Sequence, residues 1–258
     1  MSQMKSFNDI TSQDPFQQYY NIESLKDVVL TCDSDWAPDH AIETVATEIK
    51  KRGLRMSFYA THFSPLLAEL SQDSSFEVGL HPDFTRQRGP FSESLSKLKD
   101  FFPASRGMRA HRNLFGQNIS DLAKACGLEY DVSTLMWSHS HLQTYRDYNG
   151  LYRIPYCWED GIHLDVGYSE AALHKMVENP GLKVLNCHPI LLALNSPTED
   201  HRRAFTKKFS DLTSASRQEI AESRFDGEGI FDLWKRLLDR VALSAVSSHR
   251  VCDLLPKT

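Results

Sequence analysis

Short apolar runs alternate with stretches whose apolar residues recur every three or four positions, and the unit repeats every ~20 to 30 residues. That rhythm predicts strand–helix units and parallel strands, because parallel neighbours need a crossover between them. Val28 to Thr31 reads as the first strand. Pro38 to Arg52 reads as its helix, with Ile42, Val45, Ala46 and Ile49 on one face and Gly53 as the stop. Met56 to Ala60 and Phe76 to Leu80 are the next strands, separated by a short helix over Phe63 to Leu70. Ser92 to Phe101 is predicted helical with Leu95 and Leu98 inward, followed by a short strand around Met108 to Ala110.

Beyond it, Ile119 to Ala125 reads as a helix ended by Gly127, and Tyr130 to Ser133 as a fifth extended segment. Tyr152 to Pro155 and Leu182 to Asn186 supply further strands around a helix from Ser169 to Val177, which stops before Asn179-Pro180. Residues 197–228 break the rhythm: they are polar and weakly periodic, and are expected to form a long loop or lid with one helical stretch. Ile230 to Val241 restores the helical period with Leu233, Trp234, Leu237, Leu238 and Val241, and Arg250 to Leu254 is expected to close the sheet.

A length of 258 residues suits one α/β domain, with residues 1–25 as a polar lead-in. The net charge of −5 and the lack of a dense Lys/Arg stripe argue against a nucleic-acid partner. The opening MSQMKSFNDITSQDPFQQYY has no apolar core of signal-peptide kind, and no run of about 18 apolar residues offers a membrane span. A cytoplasmic protein is the expectation. Cys32, Cys126, Cys157, Cys187 and Cys252 are odd in number and scattered, which suggests reduced thiols rather than a disulfide framework.

Chemistry-bearing residues follow the strands. Asp33 and Asp35 in TCDSDW come after DVVL, His81 in LHPDF after FEVG, and His188 in NCHPI after LKVL. The C-terminal rim of a parallel sheet is where such folds gather active sites. Of two carboxylates meeting there, one can hold a divalent cation while the other takes a proton from water; alternatively, Asp35 caps the following helix. His81 suits a metal ligand, and His188 can donate a proton to a leaving amine. Arg109 and His111 in MRAHR share a side if extended, and Arg109 could pair with a buried carboxylate. PYCWEDG adds Trp158, Glu159 and Asp160, with Trp158 either wall or core. His139 and His141 read as a solvated loop, and His62, His163, His174, His201 and His249 carry no motif.

Taken in order from Thr31 to Pro189, TCDSDW, LHPDF, RAHR, PYCWEDG and NCHP resemble the motifs of the polysaccharide deacetylase superfamily. This is the NodB homology domain of carbohydrate esterase family 4, and the resemblance is closest to its WbmS-type branch. It implies a distorted (β/α)7 barrel and metal-dependent removal of an N-acyl group from a nucleotide-linked, lipid-linked or polymeric sugar. Carried over by position, Asp33 is the general base, Asp35 and His81 are metal ligands, His188 is the general acid, and Arg109 orients Asp33. Trp158, Glu159 and Asp160 are expected at the substrate, and the cation is expected to be zinc. Two departures stand out: Ser34 separates the aspartates, and Thr85 occupies the place of the family's second metal histidine. His111 is the preferred substitute, with Asp83 and Glu159 next. A chain with no substitute would bind sugar without catalysis, and the same centre could instead cleave an O-acetyl ester or a non-sugar amide.

Overall fold

The computed structural model describes residues 28–86, 89–139, 142–179, 181–243 and 248–255. The expected lead-in over 1–25 and His141 of the H-x-H pair lie outside the described residues. Along the chain run β1 (Val28–Asp33), α1 (Asp39–Lys51), β2 (Met56–Ala60), α2 (Pro65–Leu70), β3 (Phe76–Leu80), α3 (Phe91–Phe101) and β4 (Gly107–Met108). Next come α4 (Gln117–Ala125), β5 (Tyr130–Asp131), β6 (Tyr145–Arg146), β7 (Tyr152–Arg153), β8 (Trp158–Glu159), α5 (Asp160–Val166) and α6 (Glu170–Glu178). The remainder is β9 (Lys183–Cys187), α7 (Pro189–Ala193), α8 (Glu199–Thr206), α9 (Arg217–Ser223), α10 (Ile230–Leu243) and β10 (Ser248–His249).

The strands form one sheet in the order β6-β7-β5-β4-β3-β2-β1-β9-β8, with β10 added beside β1. All pairings are parallel except β6 with β7. β7, next to one end of this path, and β8, at the other end, are joined by residues 154–157, so the sheet must curl to bring them near one another. Leu135 bridges Tyr156 along that join, and the Cys157 N–H reaches the Val184 carbonyl at 2.9 Å. The result is the distorted α/β barrel that the strand–helix rhythm and the family resemblance imply.

β1 is buried along its whole length, as are β2, β3 and β9, because helices cover the outside and side chains fill the inside. α1 buries Ile42, Val45, Ala46 and Ile49, and Gly53 at φ +63° closes it in the left-handed conformation that a Cβ disfavours. α10 buries Leu233, Trp234, Leu237, Leu238 and Val241. Each side chain of that size contributes about 1.5–3 kcal/mol.

Three segments differ from the expectation. β4 and β5 each run for only two residues, because the chain leaves the ladder at Ala110, whose N–H donates to the Ser133 hydroxyl at 2.8 Å. Residues 197–228 hold two helices and a 3-10 turn, Leu212–Ser214, rather than one helical stretch. Their polar residues are caps: Thr198 accepts from His201 N–H, and Ser216 and Glu219 form a capping box. The C-terminal strand is Ser248–His249, paired with Val28 and Val29, whereas Val251–Leu254 is a 3-10 turn. Asp253 turns it by accepting from the Arg250 N–H and guanidinium, while Val251 N–H and Cys252 N–H donate to Ser57 and Glu77. No helix among the described residues is long and apolar enough to cross a membrane.

Candidate metal and hydrolytic centre

Register brings the motifs together. Cys32 pairs with Cys187, so Asp33 and His188 follow side by side; Ala60 pairs with Leu80, so His81 leaves the sheet at the same rim. β1 ends at Asp33. Asp35 and Trp36 then adopt left-handed backbones, φ +43° and +56°, pinned by Trp36 N–H donating to Thr61 Oγ1 at 2.8 Å. Asp35 therefore reaches the site through a turn rather than by strand alternation. It caps no helix, since Pro38 occupies the N-cap of α1. His111 likewise starts a 3-10 turn in which Arg112 and Asn113 are left-handed, both at φ +56°. Backbone strain of this kind concentrates at functional sites.

Asp35 Oδ1 lies 3.2 Å from His81 Nε2 and 3.2 Å from His111 Nδ1, and the two ring nitrogens are 3.3 Å apart. Bonds of about 2.05 Å in a tetrahedral sphere separate neighbouring ligand atoms by roughly 3.3 Å. This near-equilateral triangle is thus one face of a tetrahedron. His81 Nδ1 donates to the Arg109 carbonyl at 2.7 Å, which assigns the proton to Nδ1 and leaves Nε2 with its lone pair toward the triangle. Asp35 Oδ1 is buried and aligned for a hydrogen bond with neither ring. His81 Nε2 and Asp35 Oδ1 are then two acceptors facing one another with His111 Nδ1 beside them, so the donor set fits a divalent metal. The alternatives fall outside it: Asp83 turns back onto Thr85 N–H at 2.8 Å, and Glu159 accepts from Tyr156.

Behind the triangle lies a buried charge network. Arg109, 1% exposed, donates from Nη1 to Asp33 Oδ1 at 2.8 Å and to Asn186 Oδ1, and from Nη2 to Thr31 Oγ1 at 3.0 Å. Its guanidinium is stacked between Tyr59 and Tyr156, 4.8 and 4.5 Å from their centroids. Asn186 Nδ2 donates to Asp33 Oδ2 at 2.9 Å. Burial pushes the Asp33 carboxyl up, but Arg109, His81 and His188 outweigh it and hold it below its ordinary range. Burial likewise opposes ionised Asp35, and His111, His81 and His188 bring it well below.

Opposite them, His188 Nδ1 donates to Asp160 Oδ1 at 2.6 Å, and its backbone N–H donates to Asp160 Oδ2 at 2.7 Å. Nε2 faces the cleft, 4.0 Å from Asp33 Oδ2 and 3.9 Å from Asp35 Oδ2. Burial disfavours the imidazolium, yet Asp160, Asp35 and Glu159 more than compensate, placing the His188 pKa well above its ordinary value. Asp160 is fully buried behind His188, so it does not face substrate. Trp158 is core: at 0% exposure it stacks on Trp234 and donates from Nε1 to His163 Nδ1 at 3.2 Å. Its side chain points away from the rim because Glu159, one residue on, takes the inward face. Glu159 does line the cleft, and burial raises its carboxyl. His139 is exposed, away from the triangle.

A cleft of about 760 Å³ opens over Asp33, Asp35, His81, His111 and His188, bounded on the far side by α8 and the Leu212–Ser214 turn. Asn186 and Thr31 carried no sequence signal of their own, although Asn186 immediately precedes the Cys-His-Pro motif.

Residues 30–206 match the profile of the WbmS-like polysaccharide deacetylases. A Bordetella bronchiseptica structure assigned as a polysaccharide deacetylase involved in O-antigen biosynthesis is similar at 23% identity, with a TM-score of 0.75 over 83% of this chain and 90% of that one. The peptidoglycan deacetylase PdaC of Bacillus subtilis is similar at 9% identity, with a TM-score of 0.51 over 90% of this chain and 91% of that one. The 4-alpha-glucanotransferase of Thermococcus litoralis also scores 0.51, at 8% identity, over 90% of this chain and 40% of that one. At these identities the likeness is one of fold, and the barrel alone does not name the bond cleaved. No curated protein matches the sequence.

Proposed function

This chain belongs to the WbmS-like polysaccharide deacetylase family, and on that premise we propose that it is a metal-dependent hydrolase removing an N-acyl group, expected to be acetyl, from a sugar. The observation that carries the reading is the triangle of Asp35, His81 and His111, with Asp33 and His188 beside it. The O-antigen assignment of the Bordetella relative supports a setting in surface-glycan assembly.

Asp35, His81 and His111 would hold the cation, with zinc the expected one. When bound, it supplies Lewis acidity to the acyl carbonyl and lowers the pKa of water. Asp33 is the base. Each of its oxygens spends one lone pair on Arg109 or Asn186 and keeps another for the proton of the attacking water. Water oxygen adds to the acyl carbon, the carbon–nitrogen bond breaks, and His188 Nε2 delivers its proton to the departing amine. Asp160 keeps His188 in that orientation and in the charged form. Arg109 fixes Asp33 toward the water and cancels its buried charge.

The test combines metal analysis with turnover. One divalent ion per chain is expected, with His111→Ala weakening its affinity by at least about 100-fold, as befits losing a ligand rather than its support. Asp33→Asn should keep the metal and abolish acetate release from N-acetylated sugars. Metal retained undiminished in His111→Ala, or fully loaded protein releasing no acetate from a broad panel, would overturn the reading.

A further inference from the structure

Five arginine and lysine side chains line the cleft on a chain whose net charge is −5, and their partners separate them into two kinds. Arg202 is spent on Glu199 at 2.6 Å, and Arg203 is shared among Asp165, Asp200 and Glu199 at 3.4 to 3.5 Å. The Arg112 and Lys207 side chains have no hydrogen-bond or ion-pair partner among the described residues. Arg86, with a side chain 69% exposed, is only loosely paired: it lies 3.8 Å from Asp83 Oδ2, the oxygen left over when Asp83 Oδ1 accepts from Thr85 N–H and hydroxyl. Of the remaining acids, Asp211 is turned onto Thr213 N–H and hydroxyl, which hold its carboxyl below the ordinary range, and burial raises the Glu159 carboxyl. The cleft therefore has an acidic floor at Asp33 and Asp35, and above it Arg112 and Lys207 stand without a counter-charge in contact while Arg86 has only a distant one.

The placement of these cations is built. Arg112 follows the candidate ligand His111 directly, in a left-handed backbone that an arginine adopts only at a cost. Trp36 packs edge-on against His111 at 5.2 Å, and Arg86 lies over its ring at 5.9 Å, so Arg86, Trp36, His111 and Arg112 form one lip. Lys207, at the C-terminal cap of α8, faces the cleft from the opposite wall. A neutral glycan gives these three cations nothing to neutralise. A diphosphate presents several oxyanions to separate donors and suits cations approaching from two sides.

We propose that the sugar substrate carries a phosphoryl ester, a glycosyl phosphate or diphosphate, held by Arg112, Arg86 and Lys207 while the acyl group lies at the metal centre. This rests on the deacylase reading for the sugar and its acyl group, but not for the phosphate subsite. A diphosphate linked to a nucleoside and one linked to a polyprenyl chain offer the same recognition chemistry.

Binding to the full chain with metal chelated separates the possibilities by calorimetry. The probes are UDP-N-acetylglucosamine, a short-chain polyprenyl diphosphate N-acetylglucosamine and methyl N-acetylglucosaminide. At least one diphosphate probe is expected to bind ten-fold or more tightly than the neutral glycoside, and its identity assigns the source. Arg112→Gln and Lys207→Gln, both at exposed positions, should each cut that advantage by about 10-fold, one charged hydrogen bond being worth about 1.5–3 kcal/mol. Equal binding of all three probes, or an advantage that neither variant changes, would overturn the proposal, even with acetate released from the neutral glycoside. Phosphate-selective binding in chelator, with no acetate released from any probe by the metal-loaded chain in a separate assay, would keep the subsite and overturn the deacylase reading instead.

Discussion

Replacing Arg109 by Met removes the guanidinium while keeping most of the stem that fills the space between Tyr59 and Tyr156. Asp33, with a side chain 5% exposed, then keeps Asn186 as its one hydrogen-bond donor and no arginine beside it. Two unit charges about 4 Å apart at an effective dielectric near 20 attract by roughly 4 kcal/mol, and breaking a buried pair from one side typically costs about 3–5 kcal/mol. The expected loss of stability at pH 7 is of that order. With a urea slope near 3 kcal/mol/M, the midpoint falls by roughly 1–2 M.

The sign of the pH dependence separates lost charge from lost packing. In the native chain Asp33 titrates below its unfolded value, so its contribution is present above pH ~4 and disappears as pH falls through the folded value. Without Arg109, burial dominates and the folded pKa rises above the unfolded one. The penalty is then full at neutral pH and relaxes as acid protonates Asp33. Urea unfolding of both proteins in chelator, from pH 7 down to pH 4.5, reads this directly, and Asp33→Asn in the Arg109→Met background should recover most of the loss. A deficit under ~1 kcal/mol, or one unchanged across that range, would refute the account of Arg109 as the counter-charge.

Asp160→Asn should move the alkaline limb of kcat/KM to lower pH, because burial already disfavours charged His188 and Asp160 is its largest counterweight; a pH–rate profile with an unmoved limb would exclude His188 as the acid. Gly107→Ala puts a methyl 2.2 Å from the ring of buried Tyr130, itself tied to Glu77 at 2.7 Å, and should cost about 1–3 kcal/mol by calorimetric melting without altering metal content. Trp158→Phe should lower the melting temperature through lost contact with Trp234 and leave KM nearly unchanged; a KM effect without a stability effect would place the indole back at the substrate.

Much of this protein is written locally. The strand–helix rhythm, the apolar faces of α1 and α10, and acidic or histidine residues just past three strand ends follow from the period of side-chain direction, which is a property of a few neighbouring residues. Segment 197–228 is harder to read, because the short polar side chains that mark a loop also cap helices, and of its apolar residues only Phe205, Ala215 and Ile220 are buried. Trp158 and Asp160 lie around the end of a strand as Asp33 does, yet they face the core and the back of His188, since one step along a strand reverses the face.

What tertiary structure alone decided is the convergence. Asp35, His81 and His111 come from three strand ends, and their 3.2 to 3.3 Å triangle depends on the register of β1, β2, β3 and β4 and on left-handed turns at Asp35–Trp36 and Arg112–Asn113. The pairing of Arg109 with Asp33, and of His188 with Asp160, is likewise a matter of which strands adjoin. Periodicity reports which way a side chain faces within its own element. It is silent on distances between elements, because those are set by how the sheet closes and how its loops turn.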